Sequence, residues 1–109
     1  MDKTGNRKIK SEVIKYVKRL NKKFKVEKSI LFGSRARDDY LDISDVDLIV
    51  ISKDFSNINF RKRMNEAIEY WNGDVDLEVI CYTPEEFEKM RKRIGLVKKA
   101  VEEGITLKI

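Results

Sequence analysis

The sequence predicts an α+β domain, a small mixed β-sheet flanked by helices. Three observations carry that prediction. Apolar stripes of helical period alternate with short runs of strand length, in the order α-β-(turn)-β-α-β-α-β. The chain has 109 residues, and a domain typically needs roughly 100–200, so residues 1–109 are expected to share a single core. Hydrophobic residues make up 41% and recur periodically, with only one Pro and five Gly, which argues against disorder.

Each element has its own signature. Ile9, Val13, Val17, Leu20 and Phe24 step by three or four, one apolar stripe on a helix over 8–24. Ser29 to Phe32 is a short apolar run stopped by Gly33 and reads as a buried strand. Residues 34–44 are polar and form a connection, with 34–39 able to make a short helical turn. Val46 to Ile51 is the strongest strand, and Phe60, Met64, Ala67, Ile68 and Trp71 then have helical spacing. Trp71-Asn72-Gly73-Asp74 supplies turn chemistry, and Val75 to Cys81 begins by alternating apolar and acidic residues, as a half-buried strand does. Thr83-Pro84-Glu85-Glu86 is a helix start with a cap, Pro at the first position and a capping box. Phe87, Met90, Ile94, Val97 and Val101 continue that stripe, which Gly95 is expected to break. Gly104 stops the last helix before a short strand, Ile105 to Lys108.

Composition removes whole classes of chemistry. There is no histidine, so no Ser-His-Asp triad, His base or His-ligated metal is available. The single cysteine, Cys81, excludes an internal disulfide and a cysteine zinc site and is expected to be buried and inert. No apolar run approaches the ~18 residues of a membrane span, and the polar Met1 to Lys10 segment lacks the core of a signal peptide, so a cytoplasmic location is expected. Net charge is +5, unevenly placed: residues 1–28 carry eleven Lys and Arg against three acids. Such a segment can attract nucleic acid, but no aromatic residues interleave to stack on bases, so a solvated helix face is favoured. The run Arg61-Lys62-Arg63 is read the same way.

The chemistry concentrates in one region. The Ser29 to Phe32 strand runs into Gly33, whose bare Cα lets a ligand approach the backbone, and Ser34 follows with a hydroxyl. Free N–H groups at such a turn make an anion site suited to a triphosphate, with Arg35 and Arg37 adding positive charge. Asp45 and Asp47 are two apart, which in a strand puts both carboxylates on one face. Like charges held together call for a cation, and hard oxygen donors select Mg²⁺ or Mn²⁺. Asp76 offers a third carboxylate in the next strand, while Asp74 and Glu78 share its expected face and could substitute. A phosphate-binding turn beside three carboxylates has the parts of a two-metal phosphoryl or nucleotidyl transfer site.

At these residues the chain resembles the DNA polymerase β-like nucleotidyltransferase superfamily, and in particular its minimal nucleotidyltransferases. The resemblance rests on Gly33-Ser34, the spacer 35–44, Asp45-Val46-Asp47, and Val75-Asp76-Leu77 as the context of a third acid. It also takes in Arg35-Ala36-Arg37, the Thr83 to Phe87 helix start and the Ala100 to Ile105 ending, so it runs from about Lys8 to Ile109. Asp38 departs from it, standing where many members have Gly.

The resemblance implies a polymerase β palm-like fold. Gly33 and Ser34 would hold the β- and γ-phosphates, with Arg35 and Arg37 as secondary contacts. Asp45 and Asp47 would hold two Mg²⁺ ions, and Asp76 would ligate the catalytic metal and help deprotonate the acceptor. It further implies transfer of NMP, by preference AMP from ATP, to an acceptor hydroxyl, and the role of antitoxin beside a HEPN-family protein. Two alternatives remain open at this point: a catalytically silent binding partner of a HEPN protein, and a terminal transferase acting on nucleic acid. With only a catalytic core present, a partner protein or a second copy of the chain is expected to complete the site.

Overall fold

The structure is a computed structural model and describes residues 3–33 and 45–107, with side chains from residue 7 onward. Its elements follow in chain order: α1 (Lys3–Lys23), β1 (Lys28–Phe32), β2 (Val46–Ile51), a 3-10 turn (Lys53–Phe55), α2 (Phe60–Ile68), β3 (Leu77–Tyr82), α3 (Pro84–Arg91), α4 (Leu96–Glu103) and β4 (Ile105–Leu107).

The strands form one mixed sheet in the order β3-β2-β1-β4. β1 runs antiparallel to both β2 and β4, while β2 and β3 run parallel, joined by the 3-10 turn and α2. β2 is therefore central, and its sequence shows it. Val46, Leu48 and Val50 point to one face and pack with Val13, Val17, Leu20 and Phe24 of α1. Ile49 and Ile51 point to the other and pack with Phe87 of α3 and Val97 and Ala100 of α4. Alternation places Asp47 on this second face. A strand covered on both faces reads as a continuous apolar run, so Asp47 is the one residue out of pattern in Val46–Ile51.

The helices deviate from the sequence expectation in ways that have causes. α1 begins at Lys3, a turn earlier than the apolar stripe, because polar residues outside the stripe can extend a helix into solvent. α2 ends at Ile68, short of Trp71. Trp71 instead turns back, donating from Nε1 to the Val75 carbonyl at 2.7 Å and meeting the Tyr16 ring edge-on at 5.6 Å. Gly95 breaks the last helical stripe as expected, at φ +149°, and α3 carries the Thr83–Glu86 capping box.

One expectation is corrected. Arg61 and Lys62 are exposed, but Arg63 is buried. Its guanidinium donates to the carbonyls of Ile58 and Cys81 and pairs with both carboxylate oxygens of Glu86, at 2.6 and 3.2 Å. It ties α2, β3 and α3 together. Cys81 is buried as expected, its thiol pushed up to about 12 by that burial.

Candidate active site

α3 and α4 cover the second face of the sheet over Ile30, Ile49 and Ile51. At the other end of that face, β1 ends at Phe32 and β2 begins at Val46. Phe32 lies opposite Asp47 across the antiparallel pair, so the chain leaves β1 beside that carboxylate. Gly33 takes φ +76°, a left-handed conformation that disfavours any other residue. A Cβ there would collide with Asp47 Oδ2 and lie 3.3 Å from Cγ. The glycine thus serves twice: it makes the turn, and it makes room for the carboxylate.

The parallel β2–β3 register sets Asp47 opposite Glu78, and the Val46 N–H donates to the Asp76 carbonyl at 2.8 Å. Asp76 and Glu78 share a face by alternation, the same face as Asp45 and Asp47. The starts of two adjacent parallel strands therefore carry four carboxylates, of which Asp47 and Glu78 are in direct contact. Burial, with a hydrogen bond to Glu78 and the charges of Glu78 and Asp45, raises Asp47 to about 6. Asp76 lies just before β3 and is exposed.

Among the described residues no three carboxylates already form a metal cage. The donor set nevertheless fits a hard divalent cation: it offers oxygen ligands alone, with the half-buried Asp47 hydrogen-bonded to Glu78 and within reach of the charge of Asp45. Asp47 and Glu78 lie directly against each other, while Asp45 and the exposed Asp76 stand just before β2 and β3. Ser34, Arg35 and Arg37, also expected in the site, lie outside the described residues. Across Gly33 from the acids lies a hollow of about 190 Å³ lined by Phe32, Leu96, Lys99, Ala100 and Glu103. Sequence reasoning did not single out Lys99, because nothing in the α4 stripe marks it as facing β1.

The sheet end thus presents a glycine in a left-handed turn packed against a half-buried carboxylate. The chain belongs to the nucleotidyltransferase domain family, which it matches over residues 10–105. It is similar to a crystal structure from Sulfolobus solfataricus of a candidate nucleotidyltransferase, at 25% identity and a TM-score of 0.68, over 94% of this chain and 82% of that one. A comparison with curated proteins finds none that matches.

Proposed function

We propose that this chain transfers AMP from ATP to a hydroxyl group of a partner protein, as the antitoxin of a HEPN pair. One observation carries the transfer reading: Gly33, in a left-handed turn, is packed against Asp47 while Asp45, Asp76 and Glu78 share the same sheet end. Family membership supports the reaction type, and the resemblance to minimal nucleotidyltransferases supports the partner.

In this reading Gly33 admits a phosphate oxygen to the backbone, with Ser34, Arg35 and Arg37 next in the chain to extend that contact. Asp45, Asp47 and Asp76 would hold the Mg²⁺ ions, which when bound supply charge neutralisation at the reacting phosphate and activation of the acceptor hydroxyl. Asp76 takes the proton of the acceptor hydroxyl. The acceptor oxygen forms a bond to the α-phosphorus, the bond from that phosphorus to the β-bridging oxygen breaks, and pyrophosphate leaves with the electron pair. The reaction stays within carboxylate and phosphate chemistry, as a chain without histidine requires. No helix among the described residues is long and apolar enough to cross a membrane.

Nucleic acid is the less favoured acceptor because no exposed aromatic residues interleave with the cations of α1 to stack on bases. Two of those cations are engaged within the fold: Lys8 pairs with Asp74 at 3.2 Å, and Arg19 donates to the Tyr70 carbonyl and to Asn72. The test is to incubate the protein with Mg²⁺ and α-labelled ATP in lysate from its own source, beside an Asp45→Asn/Asp47→Asn control. Label is expected on a protein band and absent in the control. Label on nucleic acid would replace the acceptor class, and no label with any of the four nucleotides would leave a binding partner without catalysis.

A further inference from the structure

Among the described residues, the outer edge of β3 carries no neighbouring strand. Parallel pairing engages alternate residues of a strand. The Val46 N–H donates to the Asp76 carbonyl and the Ser52 N–H to the Tyr82 carbonyl, so the even-numbered residues of β3 face β2. Leu77, Val79 and Cys81 therefore turn their backbone groups outward. Two side chains close this edge at its ends: Trp71 Nε1 caps the Val75 carbonyl at 2.7 Å, and Arg63 Nη1 caps the Cys81 carbonyl at 3.2 Å. Between those caps, the N–H and C=O of Leu77 and Val79 have no partner among the described residues. A groove of about 360 Å³ opens in front of them, walled by Met64 and Ile68 of α2 and by Glu78 and Ile80 of β3.

An open edge is a template for another strand, and proteins usually blunt it. Here the caps stand on both sides of a window in which β3 has no further strand beside it among the described residues, and Leu77 and Val79, themselves buried, are reached through the groove. The window adjoins Glu78, which lies against Asp47. We propose that this window docks the acceptor, an extended polypeptide segment added as a fifth strand that sets a hydroxyl-bearing side chain opposite Glu78. The proposal rests on the transfer reading and deepens it by naming how the acceptor is held. A residue opposite Glu78 stands on the same face with its Cβ about 5 Å away, which delivers its side chain to the acidic sheet end.

Charge decides the occupant. A second copy pairing antiparallel through the same edge would bring its own Asp76 and Glu78 onto the face that already carries Asp45, Asp47, Asp76 and Glu78. Like charges across a strand pair are destabilising. A segment with neutral or basic residues on that face is attracted instead. Backbone donors and acceptors in alternation match an extended polypeptide and offer nothing to a base edge.

The probe is a capped peptide, Lys-Thr-Val-Tyr-Val-Thr-Lys, titrated to millimolar concentration against the ¹⁵N-labelled full chain. Saturable amide shifts are expected at Leu77 and Val79. Val79→Pro removes an outward N–H, and Ile68→Arg fills the groove from an exposed helix position without touching the β3 backbone. Each is expected to weaken the peptide at least tenfold while leaving ATP binding unchanged. In the labelling assay both variants should lose transfer to the partner protein.

Unchanged labelling in a folded Ile68→Arg chain would overturn the proposal. So would shifts confined to other surfaces, no shift at millimolar peptide, or an oligonucleotide moving these amides where the peptide does not. Absence of all transfer by the wild type, with the peptide still seated on Leu77 and Val79, would sink the transfer reading and leave the docking strand standing.

Discussion

Asp47 is held where its charge is costly. Burial and the neighbouring Glu78 and Asp45 raise it to about 6. A carboxylate that binds its proton more tightly folded than unfolded destabilises the fold once ionised. The penalty is absent below about pH 4, the unfolded value, grows as pH rises to about 6, and is complete above that. Asp47→Asn should therefore stabilise the ligand-free protein at pH 7, by on the order of 1 kcal/mol after screening, or ~5 °C in a domain of this size. Below pH 4 the gain should vanish, and thermal melts at both pH values check it.

Gly33→Ala works in the opposite direction. The left-handed φ costs an alanine about 1–2 kcal/mol, and the collision with Asp47 adds to it, so the variant should melt lower at every pH and lose transfer. The third acid divides two residues. In the proposed mechanism Asp76 takes the acceptor proton and Glu78 only sets the charge around Asp47, so Asp76→Asn should lower kcat at least 100-fold and Glu78→Gln roughly tenfold; single-turnover rates decide. Asp45, Asp47 and Gly33 were legible as a motif because their spacing is chemistry. That Glu78 rather than Asp76 lies directly across from Asp47 was not, because register belongs to strand pairing and not to either strand alone.

Elements were legible wherever period and caps agreed. Thr83 to Glu86 announced α3, and Gly95 announced the break before α4. Arg63 was misread because a basic run on a short helix looks solvated, and its partner Glu86 lies 23 residues further on. Glu86 already closes the capping box of α3, its carboxylate accepting from the Thr83 N–H at 2.8 Å. One carboxylate thus caps a helix and neutralises a buried cation. The Arg63 guanidinium, with the Thr83 bonds, holds Glu86 below its usual range. A depressed carboxylate stabilises above its unfolded value and loses that contribution as pH falls through its folded value. Arg63 is 6% exposed and Glu86 43%, so losses fall below those of fully buried pairs. Arg63→Ala should cost about 2–3 kcal/mol. Glu86→Gln should cost less and remove part of the acid sensitivity below about pH 4, as denaturation midpoints across pH would show.

At the scale of the molecule the two sheet faces have been given different tasks. The α1 face is sealed: Val13, Tyr16, Val17, Leu20, Leu31, Leu48 and Val50 are fully buried, each large apolar side chain contributing roughly 1.5–3 kcal/mol. The other face is covered by α3 and α4 over part of its length and ends in carboxylates. Both faces bury apolar residues, and the costly charge of Asp47 lies at the end of the second. Ligand should reverse the balance. Binding to the folded state alone adds about 2.7 kcal/mol at a hundredfold excess over Kd, roughly 10–20 °C here. Mg²⁺ with a non-hydrolysable ATP analogue should raise the wild-type Tm by that order. The Asp45→Asn/Asp47→Asn protein should melt higher than wild type when free of ligand and gain little when it is added, so the order of the two midpoints should invert. Equal ligand shifts in the two proteins would mean that these carboxylates crowd together for a reason other than nucleotide and cation.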